Sequence, residues 1–88
     1  MKSKPRESDS ERGLEKVPVV VTLDGAAAGD PAIARRVLQG CRQAGLDVER
    51  DMTGIGVVSG RISSDRLTRL RAVRHVEAVE PDQERHVS

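Results

Sequence analysis

Apolar positions change their spacing several times along the chain, and each change marks an element. Val17-Pro-Val-Val-Val-Thr-Leu23 is dense in β-branched residues and predicts a first strand. Val19, Val21 and Leu23 should face one way, Val20 and Thr22 the other. Pro18 cannot donate to a ladder and belongs at the strand's start or on an open side. Asp24 to Gly29 reads as a loop. Asp30-Pro31 is an N-cap followed by proline at the first helical position. Ile33, Ala34, Val37, Leu38, Cys41 and Ala44 then form one helical face, and Gly45 is the stop. Gly40 inside that helix points to a close approach by another element.

Leu46 to Met52 reads as a second strand with one buried face. Thr53-Gly54 is a turn, and Ile55 to Ile62 a third strand that completes a hairpin. Val58 and Ile62 should face the core, where Gly56 and Gly60 leave room for a helix. Ser63 or Ser64 is the expected cap of a second helix, with Asp65 in its first turn and a stripe of Leu67, Leu70 and Val73. Arg71 and Arg74 lie at its end. Val76 to Glu80 is the fourth strand, stopped by Pro81. Met1 to Lys16 is too polar to offset its ordering entropy and reads as a disordered tail. The expected layout is thus tail 1–16, domain 17–82 and a flexible end 83–88.

The order strand, helix, strand, strand, helix, strand defines an α+β fold. With right-handed crossovers it becomes a ferredoxin-like βαββαβ sandwich, a four-stranded antiparallel sheet with two helices on one face. The other face stays uncovered. Strict alternation assigns it Val20, Thr22, Asp47, Glu49, Asp51, Val57, Ser59 and Glu77, an apolar centre inside an acidic border. Such a face is either solvated or a docking surface.

Composition narrows the functions. The chain has 88 residues and no aromatic one, so a single small core must be built from aliphatic side chains. The net charge of +1 gives no reason to expect nucleic acid or an acidic membrane. No apolar run suits a signal peptide or a bilayer span, so the chain as written reads as cytoplasmic, or as secreted if an export signal has been trimmed. One cysteine excludes an internal disulfide framework, and Cys41 on the apolar helix face reads as core. The first loop lacks the paired cysteines of metal-carrying domains, His75 and His86 share no helical turn, and no metal or other cofactor is expected. The strands lack base-stacking rings. Gly54-Ile-Gly56 precedes a strand instead of opening a helix, which makes it turn chemistry and not a phosphate loop. No base adjoins Ser63 or Ser64, and no constellation suggests an enzyme.

Gly56-Val-Val-Ser-Gly-Arg-Ile62, the short helix with Leu67 and Leu70, and Val73-Arg-His-Val-Glu-Ala-Val-Glu-Pro-Asp82 together resemble the propeptides of subtilisin-like serine proteases and their free-standing inhibitor relatives. Val76-Glu-Ala-Val-Glu-Pro-Asp82 fits that family's closing Val-x-x-Val-Glu-x-Asp strand. The resemblance runs from about Val17 to Ser88. It implies a domain that inhibits or chaperones a protease by docking its open sheet face on two surface helices, where Glu49, Asp51 and Glu77 are candidate helix-capping acids. It also implies an extended C-terminal segment, Asp82, Gln83, Glu84, Arg85, His86, Val87 and Ser88, lying in the substrate cleft with Ser88 nearest the catalytic serine. The segment departs from the family in being mostly polar, with Val87 its one apolar residue.

Two other readings share the topology. A small-molecule sensor resembling amino-acid-binding regulatory domains would use Asp24, Gly25 and Asp30. A generic protein-interaction module would use Val20 and Val57 as anchors. Among these, the protease-binding reading with a monomeric domain is the expectation carried forward.

Overall fold

The computed structural model describes residues 15–82. The elements run β1 (Lys16–Leu23), a one-turn helix α1 (Gly25–Ala28), α2 (Pro31–Gln43), β2 (Asp47–Met52), β3 (Val57–Ser63), α3 (Leu67–Arg71) and β4 (Val76–Pro81). The four strands form one sheet in the order β2-β3-β1-β4, with every neighbouring pair antiparallel. Helices pack on this sheet, and the α+β, ferredoxin-like arrangement expected from the element order is what the chain adopts.

β1 sits between β3 and β4, and its apolar residues organise the core. Val21 is opposite Val58 on one side and Val79 on the other, and all three are buried. Ile62, Leu70 and Cys41 are also fully buried around it. Helix α2 contributes Ala34, Val37, Leu38 and Cys41, the face its 3.6-residue spacing predicts. Its start is capped as expected: Asp30 Oδ1 accepts from the N–H of Ala32 at 2.9 Å and of Ile33 at 3.3 Å. Its end is a Schellman turn. Leu46 N–H donates to the Cys41 carbonyl, Gly45 N–H donates to that of Arg42, and Gly45 takes φ +112°. Leu46 and Cys41 are both buried beneath the turn.

Several local expectations change. The tail boundary moves, because Lys16 already pairs with Ser63; Glu15 precedes the strand and is exposed, and Met1 to Leu14 of the expected tail lie outside the described residues. The expected loop after β1 holds the single turn α1, because Asp24 caps it through Ala27 N–H at 3.0 Å. β3 begins at Val57, not Ile55. Thr53–Ile55 forms a 3₁₀ turn that leaves Ile55 74% exposed. The second helix is only Leu67–Arg71, reached through a 3₁₀ turn at Ser64–Arg66, and Ser63 at the head of that turn makes no side-chain cap bond. Pro81 ends β4 from within, opposite Val19, where its lack of an N–H costs the strand no further pairing.

Both outer strands contain a bulge. In β2, Val48 pairs with Gly60 and Arg50 with Ser59, so Glu49 is the extra residue. In β4, Ala78 pairs with Thr22 and Val76 with Leu23, so Glu77 is extra. Each bulge shifts the side-chain alternation by one residue. That shift lets Val76 and Val79, three positions apart, both pack on the core.

Gly60 is demanded by the first bulge and not, as its spacing suggested, by a helix. A β-carbon there would run into the backbone of β2 at the Asp47 carbonyl. Gly60→Ala should therefore cost about 1–3 kcal/mol, as overpacking does, read as a lower urea midpoint at unchanged slope. An unchanged midpoint would show that β2 moves aside freely. Cys41 offers a second check. Burial pushes its thiol up to about 11, so the native protein should resist thiol reagents and react only at the rate of core opening. Prompt labelling without denaturant would contradict that burial.

Candidate functional site

The uncovered sheet face is the first candidate. Its centre is a depression of about 350 Å³ lined by Val20, Glu49, Arg50, Met52, Val57, Ser59 and Asp82. Val20 pairs with Ser59 and Glu80, and Thr22 with Val57 and Ala78, so all six residues share the face. Val20, Met52 and Val57 are half-buried in it, and Glu49, Arg50, Ser59 and Asp82 make its exposed lining mainly polar. Around it the charges pair only at the surface. Arg61 Nε donates to Glu49 at 3.1 Å, and Lys16 Nζ lies 3.7 Å from Asp47. Exposed pairs of this kind contribute at most about 1 kcal/mol.

Of the residues assigned to this face from the sequence, Val20, Thr22, Asp47, Val57 and Ser59 lie on it, and Glu49 reaches it through the bulge. Asp51 does not. The shift at Glu49 sets Asp51 opposite buried Val58, on the helix side, where it lines a different groove with Ala34, Leu38 and Thr53. There its carboxylate accepts from Thr53 N–H at 3.0 Å and Thr53 Oγ1–H at 2.8 Å, and these bonds hold it below the usual carboxylate range. Glu77 is the extra residue of the other bulge and is exposed, while Ala78 and Glu80 take the face positions of β4. Arg50 and Met52 are face residues that strict alternation misses. The signal was present in Glu49-Arg50-Asp51, since a period of two would have buried Arg50 between Val48 and Met52.

Asp82 belongs to the sheet more than to a tail. Its N–H donates to the Pro18 carbonyl at 3.0 Å, extending the β1–β4 pairing by one bond. It lines the same depression as Val20 and Glu49. Gln83, Glu84, Arg85, His86, Val87 and Ser88, the remainder of the expected cleft-binding segment, lie outside the described residues.

A second cluster joins the two halves of the chain. Asp24 N–H donates to the His75 carbonyl at 2.9 Å, and His75 Nδ1 lies 3.0 Å from Asp24 Oδ2. His75 adopts φ +72°, a left-handed conformation that a β-carbon resists by roughly 1–2 kcal/mol. These contacts with Asp24 hold it there. Asp24 is thus committed three ways: to Ala27, to His75 and to the chain crossing between them. Asp30 is likewise occupied as the cap of α2.

The helix layer carries a group of exposed arginines. Arg35, Arg36 and Arg42 on α2, Arg66 before α3, Arg69 and Arg71 on it and Arg74 beyond it are all exposed. Among the described residues none of them makes a direct ion pair, though the charge of Arg42 helps lower the Asp51 carboxyl. A groove of about 440 Å³ runs between α2 and the segment after α3, lined by Ile33, Arg36, Val37, Gly40, Val73, Arg74 and His75. The Gly40 approach read from the sequence is real, because a β-carbon there would sit 3.0 Å from Val73 Cγ1.

No helix among the described residues is long and apolar enough to cross a membrane, and no group of His, Cys, Asp or Glu among them is arranged to hold a metal ion. No protein-family model, curated protein or solved structure matches the chain.

The Asp24 cluster makes a pH prediction. The Ala27 N–H and then His75 hold the Asp24 carboxyl below its ordinary 3.8. A lowered folded value means that the contribution is complete above the unfolded value and is lost as pH falls through the folded one. Asp24→Ala should therefore lower the urea midpoint at neutral pH, and the gap to the parent protein should narrow on acidification below about 4. A gap that stays constant into acid would remove the carboxylate charge as its source.

Proposed function

We propose that this chain is a protease-binding module that inhibits or chaperones a subtilisin-like serine protease through its open sheet face and C-terminal segment. The observation that carries the reading is the position of Asp82. It shares one depression with Val20, Met52 and Val57, so the chain leaves the fold from the face that would dock. An extended segment starting there needs no detour to lie in a cleft beside a docked sheet. Glu49 and Glu80 supply carboxylates on or beside the same face that can cap helix N-termini of a partner. Asp51 has no part in it.

The small-molecule reading is less well supported, since Asp24 and Asp30 already spend their carboxylates on backbone N–H groups of their own chain. A generic interaction module remains a second reading, because the half-buried Val20, Met52 and Val57 would anchor other partners equally well.

A panel of subtilisin-like proteases should include one inhibited with an affinity between nanomolar and micromolar, as expected for a small interface. Removing Gln83 to Ser88 should weaken that inhibition. Val20→Lys with Val57→Lys should abolish it while thermal unfolding is kept, and Asp51→Asn should leave it intact. A panel untouched at high micromolar concentration would end the protease reading. Loss of inhibition on Asp51→Asn would return that residue to the interface.

A further inference from the structure

We infer that the groove between α2 and the segment after α3 is a second docking site, on the layer opposite the open sheet face, for an acidic peptide segment with an aliphatic anchor. The inference does not rest on the protease reading, because it uses none of the same residues. Its floor is apolar: Ile33 and Val73 are half-buried and Val37 is buried. Its rim holds Arg36 and Arg74, both exposed and both without an ion-pair partner among the described residues. The volume of about 440 Å³ falls in the ordinary range of ligand pockets, about 300–1,000 Å³.

Charge complementarity selects the partner. Further exposed arginines stand on the same layer, Arg66 before α3 and Arg69 and Arg71 on it, none with an ion-pair partner among the described residues. Guanidinium groups bind carboxylates and phosphates alike, so the floor decides between them. A nucleic acid would cover Arg36 and Arg74 but leave Ile33, Val37 and Val73 wet, and the floor has no ring on which a base can stack. An anionic bilayer would need exposed apolar side chains to insert. Among the described residues the exposed large hydrophobic one, Ile55, lies on the β2–β3 turn outside the groove. A leucine or isoleucine flanked by Asp and Glu satisfies both parts of the site. It fills the floor and places carboxylates on the rim, the same logic by which grooves read anchored peptides. His75 closes one end, with Nδ1 committed to Asp24.

The test uses the full chain and fluorescence anisotropy with a short labelled peptide of Asp and Glu carrying two central leucines. Binding in the micromolar range is expected. Replacing both leucines of the peptide by serine should weaken it by about tenfold or more, the scale of one buried aliphatic side chain. Arg36→Glu with Arg74→Glu should weaken it by about tenfold or more at an unchanged melting temperature. If the charge reversal lowers that temperature, Arg36→Ala with Arg74→Ala takes its place, with the same direction expected. The inference is overturned if the peptide does not bind, if serine peptide and leucine peptide bind equally, if the arginine variants bind as the parent does, or if a single-stranded oligonucleotide competes as well as the peptide.

Discussion

A core without a single aromatic ring must be closed by approach and not by bulk. Val, Leu, Ile, Ala and Cys bury less area per residue than rings do, so the layers have to come near one another before water is excluded. The chain meets this constraint at β1, whose Val19, Val21 and Leu23 are covered from both neighbouring strands and from α2. Small residues mark where the approach is tightest. Ala27 and Ala34 are buried at the helix–sheet contact, and Gly40 admits Val73. The same economy explains α3. Five residues suffice because one of them, Leu70, is wholly inside.

The element order was legible because its signals are local. Asp30-Pro31, Gly45 and the alternation Val19–Val21–Leu23 each act through their own backbone or nearest contacts, and the fold follows from their sequence. What was not legible depends on partners distant in the chain. Asp51 changes face because Glu49 is squeezed out opposite Gly60 and Ser59. Asp24 looks like a loop residue until His75, fifty-one positions away, is brought to it. The open face was therefore readable at its centre, where β1 and β3 keep strict alternation, and misread on the outer strands, where the phase slips.

The bulk charge hid a local excess of positive charge on the helix layer. A net value of +1 argues against an electrostatic partner only if the signs are mixed over the surface. Here seven exposed arginines stand on the helix layer, while the sheet face mixes Asp47, Glu49, Glu80 and Asp82 with Lys16, Arg50 and Arg61. The two faces of the sheet thus differ in character, one mixed in sign and one rich in arginine.

The two bulges have a consequence beyond their local geometry. β2 and β4 are the outermost strands, and an uninterrupted outer strand offers its free N–H and C=O row as a template for any foreign strand. In β2 the row is broken at Glu49, and in β4 at Glu77 and again at Pro81. Each break twists the margin and puts a charged or donor-less residue where continuous pairing would need a regular one. The margins of a sheet are what it offers to other copies. The irregularities that misled the alternation thus interrupt the template on both edge strands of the described sheet.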